Sequence, residues 1–150
     1  MLATETLHFT VLAEAMLQSI SNVVPISFEK KSAGAIEDHL HLEFAVLIGL
    51  TGELKGKFIF KGEPAVFSAI GESMFGMPLE GEMLVSFAGE LGNMICGGLC
   101  TNVSQNGIII DITSPTIVEG LSKISGIKKG MEIVVDFTGK GQLSLNLLLD

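Results

Sequence analysis

Residues 82–104 read EMLVSFAGELGNMICGGLCTNVS. At about 100° per residue, Leu84, Ala88, Leu91, Ile95 and Leu99 gather on one side, which predicts an amphipathic helix over Glu82–Val103 with a buried stripe. The opposite side carries Glu82, Ser86, Gly89, Glu90, Asn93, Gly97 and Ser104. Glu90 and Asn93 stand three apart, so they point outward together. The glycines at 89, 92, 97 and 98 are unexpected here, because each costs about 1 kcal/mol relative to Ala in a helix interior. Gly92 and Gly98 suit close packing inside the protein. Gly89 and Gly97 lie on the Glu90 face and suit the close approach of another surface. Ser86, Gly89 and Gly97 are therefore candidate partner-binding positions around a candidate Glu90/Asn93 pair. By spacing alone, an exposed acid and amide are most simply a solvated face.

Upstream, Thr4–Val23 has Leu7, Val11, Ala15 and Leu17 at helical spacing, with Leu12 and Met16 beside them. Pro25 ends that helix. Ile26–Lys31 reads as a short strand. In His39–Leu50, Leu40, Leu42, Phe44, Val46 and Ile48 alternate with His39, His41, Glu43, Ala45 and Leu47, which predicts a longer strand. A turn at Thr51–Glu53 returns the chain as a strand to Lys61. Pro64 opens a second helix with Val66, Phe67, Ile70 and Met74 on its apolar face, and Gly76 is its predicted C-cap. Beyond the long helix, strands are predicted at Gly107–Ile112, Pro115–Val118, Met131–Thr138 and Gln142–Leu149, the last two joined by a turn at Gly139–Gly141. The order predicts an α+β (mixed α/β) fold, with helices packed on a largely antiparallel sheet and a single domain over residues 1–150.

Composition removes other classes. The 150 residues carry a net charge of −8, a poor match for a phosphate backbone, so nucleic acid is not an expected partner. With 47% hydrophobic and 17% charged residues the chain is not of a disordered type. Leu91–Ile110 is uncharged, but Asn93, Asn102, Ser104, Gln105 and Asn106 speak against a membrane span. The first basic side chain is Lys30, which argues against a secretory leader and for a cytoplasmic protein. Cys96 and Cys100, four apart on one helix, read as structural thiols. The segment from Gly52 to Lys57 lacks the Ser/Thr of a phosphate loop and leads into a strand. His39 and His41 share one side of a strand and could hold a metal with Asp38 or Glu43, though a solvated face is the simpler reading. His8 reads as structural.

The Ser86-x-x-x-Glu90-x-x-Asn93 arrangement resembles the signature of the CheC/CheX/FliY family of chemotaxis phosphatases. Other stretches are also similar to that family: IGLTGELKG at 48–56, MFGM at 74–77 and DITSPTIVEG at 111–120. The resemblance is clearest over residues 40–120, and its single acid–amide copy is similar to the CheX branch. It implies a phosphatase acting on a phosphorylated CheY-like response regulator, with Glu90 and Asn93 as its catalytic pair. It also implies a homodimer that pairs through its sheets, for which Met131–Thr138, Gln142–Leu149 or the His39–Leu50 hairpin are the expected edges. An acyl phosphate is already labile, and the regulator would bring its own Mg²⁺ and lysine, so no cofactor or metal is expected on this chain. An amide can hold a water as both donor and acceptor, and an ionised Glu suits a cation. The alternative is a non-catalytic adaptor of the same fold.

Overall fold

The computed structural model describes residues 3–150, with side chains from residue 7 onward. Three helices, α1 (Ala3–Val23), α2 (Pro64–Phe75) and α3 (Glu82–Ser104), pack on one sheet. The strands are β1 (Phe28–Ala35), β2 (Asp38–Gly52), β3 (Gly56–Lys61), β4 (Ile110–Ile112), β5 (Thr116–Ile127), β6 (Lys129–Phe137) and β7 (Gly141–Leu149). They run in the order β1-β6-β7-β3-β2, and the far edge of β2 is shared by β5 and β4. Every pairing is antiparallel, as expected.

α3 is the central helix. Phe87, Ala88, Leu91, Ile95, Leu99 and Val103 are buried against the sheet and α1. It is the one helix among the described residues with the length and hydropathy of a membrane span, and the protein core takes up its apolar side. Gly92 sits where a Cβ would press on Val46 Cγ1 at 3.0 Å and Ile48 Cδ1 at 3.2 Å. A Cβ on Gly98 would strike Ser19 Oγ, whose hydroxyl donates to the Ile95 carbonyl at 2.7 Å. Both glycines thus serve internal packing, as their spacing suggests. In α1 the buried stripe is Phe9, Leu12, Met16 and Ile20, while Leu7 is exposed. α2 starts at Pro64 and ends at Gly76, whose φ of 76° lets its N–H reach the Glu72 carbonyl at 2.8 Å.

Three expectations need correction. The alternation through β2 does not keep one face. A register shift lies between Leu42 and Phe44, so Phe44, Val46 and Ile48 join the helix-side core while Leu40 and Leu42 join Ala45, Ile59 and Leu148 on the other side. The extra residue of this irregularity lies on β5, where Gly120 has a φ of 103°, and β2 passes from one core to the other at the break in the ladder. β5 runs nine residues past its predicted end at Val118; its exposed residues 119–123 give no alternation to read, and pairing with β2 defines it. Finally, β6 and β7 lie inside the sheet and β2 is covered by β5, so the open edges belong to β1, β5 and β4.

Candidate functional site

The polar stripe of α3 faces outward. Ser86 and Glu90 are exposed, and Asn93 and Gly97 are half-buried. Among the described residues, neither Glu90 nor Asn93 has a hydrogen bond or ion pair with another side chain or with the backbone. An amide and an acid on a rigid core helix, both without a partner, are free to meet something outside the chain. Gly97 has no atom within 4 Å of where a Cβ would stand, which keeps that part of the face flat and open.

Gly89 departs from its expected role. It is buried, and a Cβ there would meet Pro115 Cγ and Ile117 Cδ1, each at 3.5 Å. The cause is the β4–β5 connection. Thr113 is locked to β2 by two reciprocal bonds: the Gly49 N–H donates to Thr113 Oγ1 at 2.8 Å, and the Thr113 N–H donates to the Gly49 carbonyl at 3.0 Å. From there Pro115 and Ile117 run across α3 at Gly89. Asp111, at the other end of this segment, lies close enough to Cys100 to raise its thiol further above the ordinary range, after burial. The segment therefore passes along α3 opposite the helix's own direction, from Cys100 to Gly89.

The buried Cys96 thiol is pushed well above its ordinary range, first by burial and then by Cys100. Both thiols are thus poor nucleophiles, in keeping with a structural role. His39 and His41 do share a side, with ring centroids 4.8 Å apart, and His39 Nδ1 lies 3.6 Å from Asp38 Oδ2. No group of three His, Cys, Asp or Glu able to hold a metal occurs among the described residues.

Two features escaped the sequence reading. A groove at the start of α3 is lined by Phe75, Met77, Leu79, Met83, Ser86 and Glu90, among others. A second hollow beside it joins Glu82 and Ser86 to Glu119 of β5. Met77 and Met83 were visible as methionines, but their exposure follows only from how α2 and α3 are joined.

Three helices on one side of an antiparallel sheet, with an acid and an amide on the open face of the central helix, define a CheC-like architecture. A CheC-like superfamily protein from Shewanella sp. PV-4 has the same fold at a TM-score of 0.77, with 22% identity over 100% of this chain and 99% of that one. The fold is also that of a solved CheX–CheY–BeF₃–Mg²⁺ complex from Borrelia burgdorferi, with a TM-score of 0.75, 16% identity and 94% and 96% of the two chains covered. The sequence is more specific. Residues 44–138 match the family described as chemotaxis phosphatase CheX. The chain is also 31% identical over 115 residues, 73% of each protein, to the CheY-P phosphatase CheX of Thermotoga maritima. It belongs to the CheX family.

Proposed function

We propose that this protein hydrolyses the aspartyl phosphate of a CheY-like response regulator, with Glu90 and Asn93 as its catalytic pair. The observation that carries this reading is the pair itself: an acid and an amide, unpartnered within the chain, on the open face of the core helix of a CheX-family fold. In the reaction a water attacks phosphorus, the bond from phosphorus to the aspartyl oxygen breaks, and inorganic phosphate and free carboxylate leave. Phosphoryl transfer needs mainly positioning and charge stabilisation. The Asn93 amide accepts from the water with its oxygen or donates with its nitrogen, fixing the water in line with the breaking bond. The Glu90 carboxylate accepts from a cationic donor of the regulator, most simply its active-site lysine, and so orients the two proteins. The Mg²⁺ that neutralises the phosphoryl oxygens belongs to the regulator in this reading.

Two further parts of the proposal concern setting. A soluble regulator is met in the cytoplasm, which is the compartment we assign. We also assign a homodimer joined along β5, whose outer edge is free and whose Leu121 is 90% exposed. Unpaired edges of this kind invite strand pairing. Sedimentation should then give twice the 15.9 kDa chain mass.

The decisive measurement is phosphoryl-group loss from a phosphorylated CheY-like regulator with and without this protein. Asn93→Ala should lower turnover by roughly 10²–10³-fold, the loss typical of one preorganised hydrogen-bonding group, while binding is retained. An adaptor would give binding with no turnover by the wild-type chain. Near-normal turnover by Asn93→Ala would remove the water-positioning role.

A further inference from the structure

We propose that the groove between the end of α2 and the start of α3 is the docking anchor for the regulator. It takes an apolar side chain next to the regulator's phosphorylated aspartate, flanked there by Lys or Arg. This rests on the function proposed above and adds where the partner is gripped.

The groove is broadly open to solvent, spans about 790 Å³ and has Ser86 and Glu90 in its wall. A partner that grips Glu90 therefore meets a wall of this groove. Phe75, Met77 and Met83 are 60%, 48% and 56% exposed, and they are three of the six large hydrophobics left so open among the described residues. Scattered exposed apolar side chains need no explanation, but three lining one hollow mark a contact surface.

The hollow is built to persist. Phe75 meets Phe87 edge to face, with centroids 5.7 Å apart and planes at 87°. Leu79 is buried in its floor, and its carbonyl accepts from Ser68 Oγ at 2.7 Å. Two methionines at the mouth can repack around different shapes.

Charge identifies the occupant. Glu82 and Glu90 stand on the groove, Glu119 stands across the adjoining hollow, and no Lys, Arg or His lines either. A second copy seated here about a two-fold axis would bring these carboxylates against their own counterparts, which is repulsive. A partner with basic side chains around an apolar one is attracted instead.

The test is binding of a CheY-like regulator charged with BeF₃⁻ and Mg²⁺, measured by calorimetry without turnover. Met77→Gln, Met83→Gln and the double variant alter exposed side chains on two different segments, and melting curves confirm folding. The double variant should weaken binding about tenfold or more, the loss of a central apolar anchor. Each single variant should lie between it and the wild type, and Met83→Leu should bind nearly as the wild type does. An unchanged Kd in folded variants overturns the groove and leaves the phosphatase reading standing. Wild-type binding without turnover on the phosphorylated regulator defeats that reading while the Kd series still decides the groove. A wild-type chain that binds no regulator defeats both. A change in sedimentation with no change in Kd assigns the groove to a second copy and overturns the proposal.

Discussion

The two faces of α3 use the same residue types for opposite ends. On the inner face the glycines at 92 and 98 are closed in by Val46, Ile48 and Ser19. On the outer face Gly97 looks into open space. The inner side chains of Leu91, Ile95 and Leu99 are satisfied by the core, whereas Glu90 and Asn93 have no partner among the described residues. A group whose contacts lie within the chain contributes to folding. A polar group without such contacts contributes little to folding and is available for work elsewhere. Substitutions on the two faces should therefore separate into stability effects and functional effects.

The largest effects fall at the centre of each face. Leu91→Ala should destabilise the fold by about 2–5 kcal/mol, since the side chain is fully buried between the sheet and the helices. A denaturant series reads this directly, and regulator affinity per folded molecule should be unchanged. Glu90→Ala should do the reverse. Its midpoint should match the wild type, while regulator binding weakens by about 2–5 kcal/mol because a cation is left unpaired in the interface. If Glu90→Ala lowers the midpoint as much as Leu91→Ala does, the division of the helix into two faces is wrong.

The division itself was legible from sequence, because helical periodicity depends only on local spacing. α3, α2 with its Gly76 cap, the β6–β7 hairpin and the antiparallel sheet all follow from such local signals. The errors arose where distant segments meet. Gly89 shares the outward face on a wheel, yet the Thr113–Ile117 segment folds over it, on a path fixed by distant pairing with β2 through the Gly49–Thr113 bonds and the strand registers on either side. Leu40 and Leu42 continue an unbroken alternation, but they lie beyond a break in the β2–β5 ladder and pack on the other side of the sheet. Most of β5 lies in solvent, so it carries no hydrophobic period at all. The groove at Phe75, Met77 and Met83 escaped for the same reason: it is formed between elements rather than within one.

Intermediate effects should appear at the inner glycines. Gly98→Ala places a methyl group onto Ser19 Oγ and forces α1 away from α3 or breaks the Ser19–Ile95 bond. Overpacking of this kind costs about 1–3 kcal/mol, partly offset by the better helix propensity of Ala. A thermal midpoint above that of the wild type would show that the α1–α3 contact can relax and that Gly98 is not there for packing.

Gly97→Ala should give the smallest effect of the series and the most informative sign. Nothing lies within 4 Å of the added Cβ, and Gly97 does not have the positive φ that would strain an alanine. Replacing Gly by Ala in a helix interior should then stabilise the protein, by about 0.4–1 kcal/mol, through a less disordered unfolded chain and better helix propensity. A more stable variant with normal regulator binding would mean that the outer face tolerates bulk at this turn, so the partner's footprint ends nearer to Asn93. A more stable variant that binds the BeF₃⁻-charged regulator more weakly would mean that the glycine is retained for close approach and that the footprint runs at least one turn beyond Asn93. The second result is the expected one, because Gly97 lies one turn along the same stripe as Asn93 and the outer face offers no contact within the chain that would require a glycine there. Loss of stability in Gly97→Ala would contradict both, and would place an unseen packing demand on a face that the structure leaves open.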